Sequence, residues 1–412
     1  MQYAGSVLQV LRTRVFRHLF FAQFVSLSGT GLATVALGLL AFDLAGAQAG
    51  RVLGTALAIK MVAYVFVAPT ASVVMAKVSP RHAMVFSDLL RAVVAYGLPF
   101  VTQVWQVYVL VFLLQAAAAV FTPTFQAVIP RVLPEEDDYT QALSLSRVAT
   151  NLESVLSPVL AAALLLVVSS STLFFGTALG FVASAVLVIS VVLPRSLATA
   201  FEAEESFISR VGHGIKLFIA KPTLRPVLAI NLAVAAAGAF VIVQTVVIVR
   251  TVFAQTESMV AVLLAVNGVG SMCAAVFLPR IFRRHSERAI MLNGAVMLSA
   301  ATAVIPLAIA IGPAMLGLVG VGVLWLLIGA GWAMAETPIG RLVRRSVETA
   351  ELPAAFAAQF SLSHVCWLVT YPIAGWLGSH DLSITAILLA SIAAGATITA
   401  AFLFRLTTPS EE

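Results

Sequence analysis

Apolar segments of 18 or more residues recur along this chain from Phe16 to Phe404, each long enough to cross ~30 Å of hydrocarbon as a helix. Lipid offers no partner for backbone N–H and C=O groups, so such a segment must satisfy them internally, as a helix does. About twelve segments are counted, leaving about 34 of the 412 residues for each span with its connection and no room for a soluble domain. Composition agrees: 61% of residues are hydrophobic and 10% charged, against roughly 45–50% and 25% in an ordinary soluble domain. The expected class is an all-α membrane protein with about twelve transmembrane helices.

A formal charge of +6 raises the question of nucleic acid, and the position of the charges answers it. With the N-terminus inside, 19 of the 24 Lys and Arg fall in cytoplasmic segments, three within spans (Lys60, Arg91, Arg147), and only Arg51 and Arg250 outside. The basic excess is a topology signal that sets both termini in the cytoplasm, and no nucleic-acid partner is expected. Arg12, Arg14 and Arg17 precede an apolar run too long for a cleaved leader, which reads as the first membrane helix. Cys273 and Cys366 fall in separate spans and read as small buried hydrophobes rather than a disulfide or metal pair.

The chain repeats itself. Phe121-Thr122-Pro123, an acidic loop, Ser144-Leu145-Ser146-Arg147 and Ser157-Pro158 are echoed by Glu336-Thr337-Pro338, a loop holding Glu348 and Glu351, Ser361-Leu362-Ser363-His364 and Tyr371-Pro372. Corresponding prolines lie 215 and 214 residues apart, about half the chain. The expected division is a six-helix bundle over 1–193, a cytoplasmic linker over 194–222 and a second six-helix bundle over 223–412. Phe207, Ile208, Val211, Ile215 and Phe218 recur at helical spacing and predict an amphipathic helix in the linker. Halves that repeat inside a membrane usually frame a transport site, and prolines that free backbone carbonyls at matching positions (Pro123 and Pro338, Pro158 and Pro372) are candidate helix bends.

Two halves of about six helices, basic loops between the second and third and the eighth and ninth spans, and a linker between halves resemble the major facilitator superfamily over nearly the whole chain. Gly29-Thr30-Gly31-Leu32-Ala33, Ser87-Asp88-Leu89-Leu90-Arg91-Ala92 and Pro123-Thr124-Phe125-Gln126-Ala127-Val128-Ile129-Pro130 look like its efflux branch, which includes macrolide exporters, the enterobactin exporter and nickel-resistance permeases. The resemblance implies alternating access about a central cavity. Where the family's loop between spans two and three carries a Gly, an acid and paired basic residues, this chain has Ser72, Lys77, Arg81 and His82. Where drug antiporters often place an Arg in span four, it has Gln115. The antiporter Gly-Pro of span five becomes Ser157-Pro158, followed by Ala161, Ala162 and Ala163, which keeps the bend and the smooth face.

An ionisable group in hydrocarbon costs at least a few kcal/mol, so it needs a partner, a wet cavity or neutralisation. Lys60, Glu153 and His364 lie deep by helical rise and are candidates for proton coupling or cargo binding. Lys60 and Glu153 fall at comparable depth, so they are expected to pair or to face one polar cavity. Glu336, five residues before Arg341, is a gate acid, a cation ligand or the partner of a loop arginine. Asp88 and Arg91, three apart on one helical face, read with Arg147 as gate or scaffold residues. The expected function is proton-coupled efflux of a small molecule, drug-like or a siderophore, by a monomer in a bacterial plasma membrane. The nearest alternative is a divalent-metal exporter. A non-transporting receptor or a membrane enzyme fits less well, since no nucleophile and base cluster and no signalling domain is evident. No cofactor and no bound metal is expected.

Overall fold

The computed structural model describes residues 9–67, 78–191, 207–312, 314–348 and 351–407. Every regular element among them is helical. Five long helices follow the first, α1 (Arg14–Ala45): α2 (Ala49–Val62), α3 (Pro80–Gly97), α4 (Val104–Val132), α5 (Glu136–Leu164) and α6 (Ser170–Ile189). A linker helix α7 (Phe207–Ala220) leads to α8 (Arg225–Val247), α9 (Glu257–Ile281), α10 (Glu287–Ile309) and α11 (Ala314–Glu336). A short α12 (Ile339–Ser346) precedes α13 (Leu352–Pro372) and α14 (Leu382–Thr407).

Among the described residues, nine helical runs are long and apolar enough to cross a bilayer. One of them, Arg14–Phe66, holds both α1 and α2, joined through a single 3-10 turn that begins at Gly46, whose φ of 55° costs a glycine little. The runs do not include α5 and α13, which carry Glu153 and His364.

The chain forms two compact bodies, Met1–Leu40 with Val62–Glu204 and Ala41–Met61 with Glu205–Glu412. In the first, α3 packs against α4 and α6. A core of Phe16, Leu19, Phe121, Phe125 and Ile129 joins α1 to α4, and the rings of Phe121 and Phe125 stack 6.3 Å apart. In the second body α11 packs on α9 and α10, while α8 lies against α13 and α14. Nearly every residue of α8 is buried, the pattern of a helix enclosed on all sides.

The linker helix seats Gly214 against Ala354 and Ala358 of α13, with Phe218 buried and His213 exposed. The side chains of Phe207, Ile208 and Val211 lie outside the described residues. Cys273 is exposed on α9 rather than buried, as an apolar side chain can be where the outer surface meets lipid. The matching prolines behave differently. The α4 helix runs through Pro123, whose side chain is outside the described residues, and α5 runs through Pro158. In contrast Pro338 caps α12 after a turn that ends α11, and Pro372 is followed by a π-helical turn, Ile373–Leu377.

Candidate functional site

In the first body the side chains that matter converge on α1. Gly31 faces α5, and a β-carbon there would overlap the Glu153 carboxylate and the Ser157 side chain. The missing side chain is therefore what lets Glu153 lie against the α1 backbone. One turn earlier, Ser157 donates to the Ser28 carbonyl at 3.4 Å, and Thr177 of α6 donates to the Gly29 carbonyl at 3.0 Å. The Gly-Thr-Gly stretch is thus a surface of bare backbone that α5 and α6 read with hydroxyls. Gln115 is buried on α4, its side-chain oxygen without a hydrogen-bond partner.

Deeper in this body, Asp88 is 0% exposed and Arg91 3%, an ion pair closed off from its surroundings. Arg91 donates to Asp88 and, at 2.9 Å, to Ser26 of α1. Ser184 of α6 donates to the other Asp88 oxygen at 2.6 Å. The guanidinium is sandwiched between Phe181 and Phe121, 4.5 and 4.7 Å from the ring centres. Four helices meet at this pair, so its geometry is that of a scaffold. The Arg147 side chain lies outside the described residues, as do Ser72 and Lys77.

The second body is organised around α13. Helix α8 runs parallel to it: Asn231 and Gln359 exchange amide hydrogen bonds of 3.2 and 3.0 Å, Gly238 meets Trp367, and Gln244 donates to the Ala374 carbonyl at 2.5 Å. Helix α2 runs antiparallel: a β-carbon on Gly375 would stand 2.5 Å from the Gly50 carbonyl, and one on Gly54 would stand 2.6 Å from that of Tyr371. Gly50 and Gly54 form the Gly-x-x-x-Gly spacing that lets helices touch backbone to backbone. The spacing is a sequence signal for the close α2–α13 contact. Gln244 fills the end of the seam, between Gly50 and Gly378.

Continuing that register along the two helices places Lys60 opposite His364. His364 stacks on Phe360 at 4.0 Å between ring centres, and its Nδ1 lies 2.7 Å from the Phe360 carbonyl. Lys60 and Glu153, expected to pair, belong to different bodies. The expected loop partner of Glu336 is engaged elsewhere: Arg341 lies 2.9 Å from Glu287 and Arg345 3.3 Å from the same oxygen. The turn at Pro338 redirects α12, so nearness in sequence does not become nearness in space. Trp332 lies one turn back from Glu336 on α11.

Among the described residues the two bodies are built from long helices that meet at glycine notches and buried polar contacts. A family model described as Major Facilitator Superfamily matches residues 19–369. The chain belongs to the Major Facilitator Superfamily. It is a multi-pass membrane transporter of that type.

The uncharacterized MFS-type transporter YfiS of Bacillus subtilis (strain 168) is 24% identical over 273 residues, 64% of this chain. The chain spans 63% of the length of that curated relative. Among solved structures, the nucleoside transporter NupG superposes with a TM-score of 0.74 at 12% identity, covering 95% of this chain and 99% of that one. A POT family transporter in complex with a thioalcohol-conjugated peptide gives 0.71 at 12%, covering 95% and 96%. A bacterial homolog of the human lysosomal transporter Spinster, inward-facing and unoccupied, gives 0.72 at 11%, covering 97% and 99%. At these identities the likeness is one of fold.

Proposed function

We propose that this superfamily member is a secondary active exporter, moving a drug-like molecule or siderophore outward by alternating access and drawing on the proton gradient. The observation that carries this reading is the Glu153 carboxylate, lodged against bare α1 backbone at Gly31. An acid kept inside a membrane body at a cost to stability is retained by default for function. Glu153 would take and release the proton. Lys60 and His364, which the α2–α13 register sets opposite each other, would form the responding pair, with His364 the second candidate for proton transfer.

The Ser157-Pro158 step supports movement of α5 against α1, because the proline removes one helix hydrogen bond just beyond the Glu153 notch. In the second body the α2–α13 seam would be the contact that parts during the cycle. Both termini would face the cytoplasm of a bacterial inner membrane, which puts the α1–α2 turn outside. The chain would act as a monomer. The divalent-metal alternative has less to stand on, since no three His, Cys, Asp or Glu side chains group together among the described residues.

Counterflow in proteoliposomes tests the reading, with a panel of lipophilic drugs, siderophores and divalent metals and with or without an imposed pH gradient. The expected result is one cargo accumulated against its gradient only when protons drive it. Accumulation of a metal ion, or of a cargo indifferent to the pH gradient, would refute proton-coupled drug or siderophore export.

A further inference from the structure

Glu336 is the last residue of α11, yet Arg341 and Arg345, close by in sequence, are bound to Glu287. Among the described residues no Lys, Arg or His forms a salt bridge with it. Trp332 lies one turn back on the same helix. A carboxylate in such a place calls for a positive partner, and the protein supplies none from those residues.

Its surroundings specify what kind of cation would fit. Trp332 and Glu336 are four apart and share one face of α11. The Trp332 ring lies 5.1 Å from that of Trp367, which lies 5.0 Å from Tyr371, so three aromatic rings form a ladder beside the acid. The ladder exists because α8 gives way: a β-carbon on Gly238 would overlap both indoles. Trp367 and Tyr371 are buried and brace the ladder, while Trp332 and Glu336 are less completely covered. Aromatic faces attract cations through their quadrupole, most strongly tryptophan and most strongly when desolvated.

We propose that the α11–α13 face of the second body is a cargo subsite for hydrophobic aromatic monocations, the positive centre against Glu336 and the rings against Trp332 and Trp367. This rests on the transporter reading and names the substrate class for it. Glu336 supplies charge selection and the indoles supply shape, so an anion of the same size and aromaticity is rejected.

The test is equilibrium binding of radiolabelled tetraphenylphosphonium to the purified chain in detergent, with tetraphenylborate as the anionic isostere. The expected outcome is saturable cation binding that the borate does not displace. Replacing the acid (Glu336→Gln) should weaken it at least ~10-fold and Trp332→Leu by a similar factor, with Trp332→Phe retaining most of the affinity. Thermal unfolding of each variant checks that it is folded, and Glu336→Asp, which keeps charge but withdraws it, should fall between native and Gln. Borate binding as tight as the phosphonium, or unchanged affinity in a folded Glu336→Gln, would overturn the proposal. Because binding is read without any gradient, the two readings fail separately. Counterflow of another cargo without phosphonium binding leaves the transporter and removes the cation subsite. Phosphonium binding with no transport of any cargo does the reverse.

Discussion

At the scale of single residues, two positions in the first body are set by what they lack or cannot lose. Arg91 is enclosed by Asp88, Ser26 and two phenylalanine faces, so removing either charge strands the other in a dry interior. Breaking a buried pair from one side costs about 3–5 kcal/mol. Arg91→Ala should therefore lower the thermal unfolding midpoint of the detergent-solubilised chain sharply, and Asp88→Asn less so, since an amide can still accept from Ser184. An Arg91→Ala protein as stable as the native chain would show the pair to be dispensable. Gly31→Ala puts a methyl where Glu153 and Ser157 lie; overpacking of this kind costs about 1–3 kcal/mol. It should also reduce transport, because the carboxylate must move. The Asp88–Arg91 pair was legible from spacing alone. The fate of Glu336 was not, because a partner for it was sought five residues along the chain while Pro338 turned that stretch toward Glu287.

At the scale of elements, the α2–α13 seam shows what a pattern can and cannot reveal. Gly50 and Gly54 announce a close helix contact, but only the structure identifies α13 as the partner and Gln244 as the side chain filling its end. Matching prolines predicted matching bends, yet Pro338 ends its helix while α4 continues through Pro123. The difference is one of context: a proline forfeits one hydrogen bond, and neighbouring packing decides whether the helix bends, breaks or absorbs the loss. Glycines make the same point quantitatively. Gly54→Val should destabilise the folded chain by about 1–3 kcal/mol, since its β-carbon would meet the Tyr371 carbonyl. Gly395 on α14 has open space around it, so Gly395→Ala should be neutral or stabilising by up to ~1 kcal/mol through helix propensity. Thermal unfolding of the two variants side by side checks both; equal effects would mean that the seam is not tightly packed.

At the scale of the whole molecule, fold class was readable because span length and hydropathy are one-dimensional properties, and twelve long helices with family membership follow the recurring apolar segments. Helix rotation is a three-dimensional property. It turns the α13 face into an aromatic ladder that no linear pattern disclosed. The account's central claim is that a proton on Glu153 drives export. The most direct measurement compares native chain and Glu153→Gln in the same proteoliposomes, reading gradient-driven accumulation and passive exchange of one cargo. The account predicts that the variant loses accumulation while exchange persists, since a permanently neutral side chain still lets the carrier cycle. Undiminished proton-driven accumulation by Glu153→Gln would contradict it and return Glu153 to a structural role.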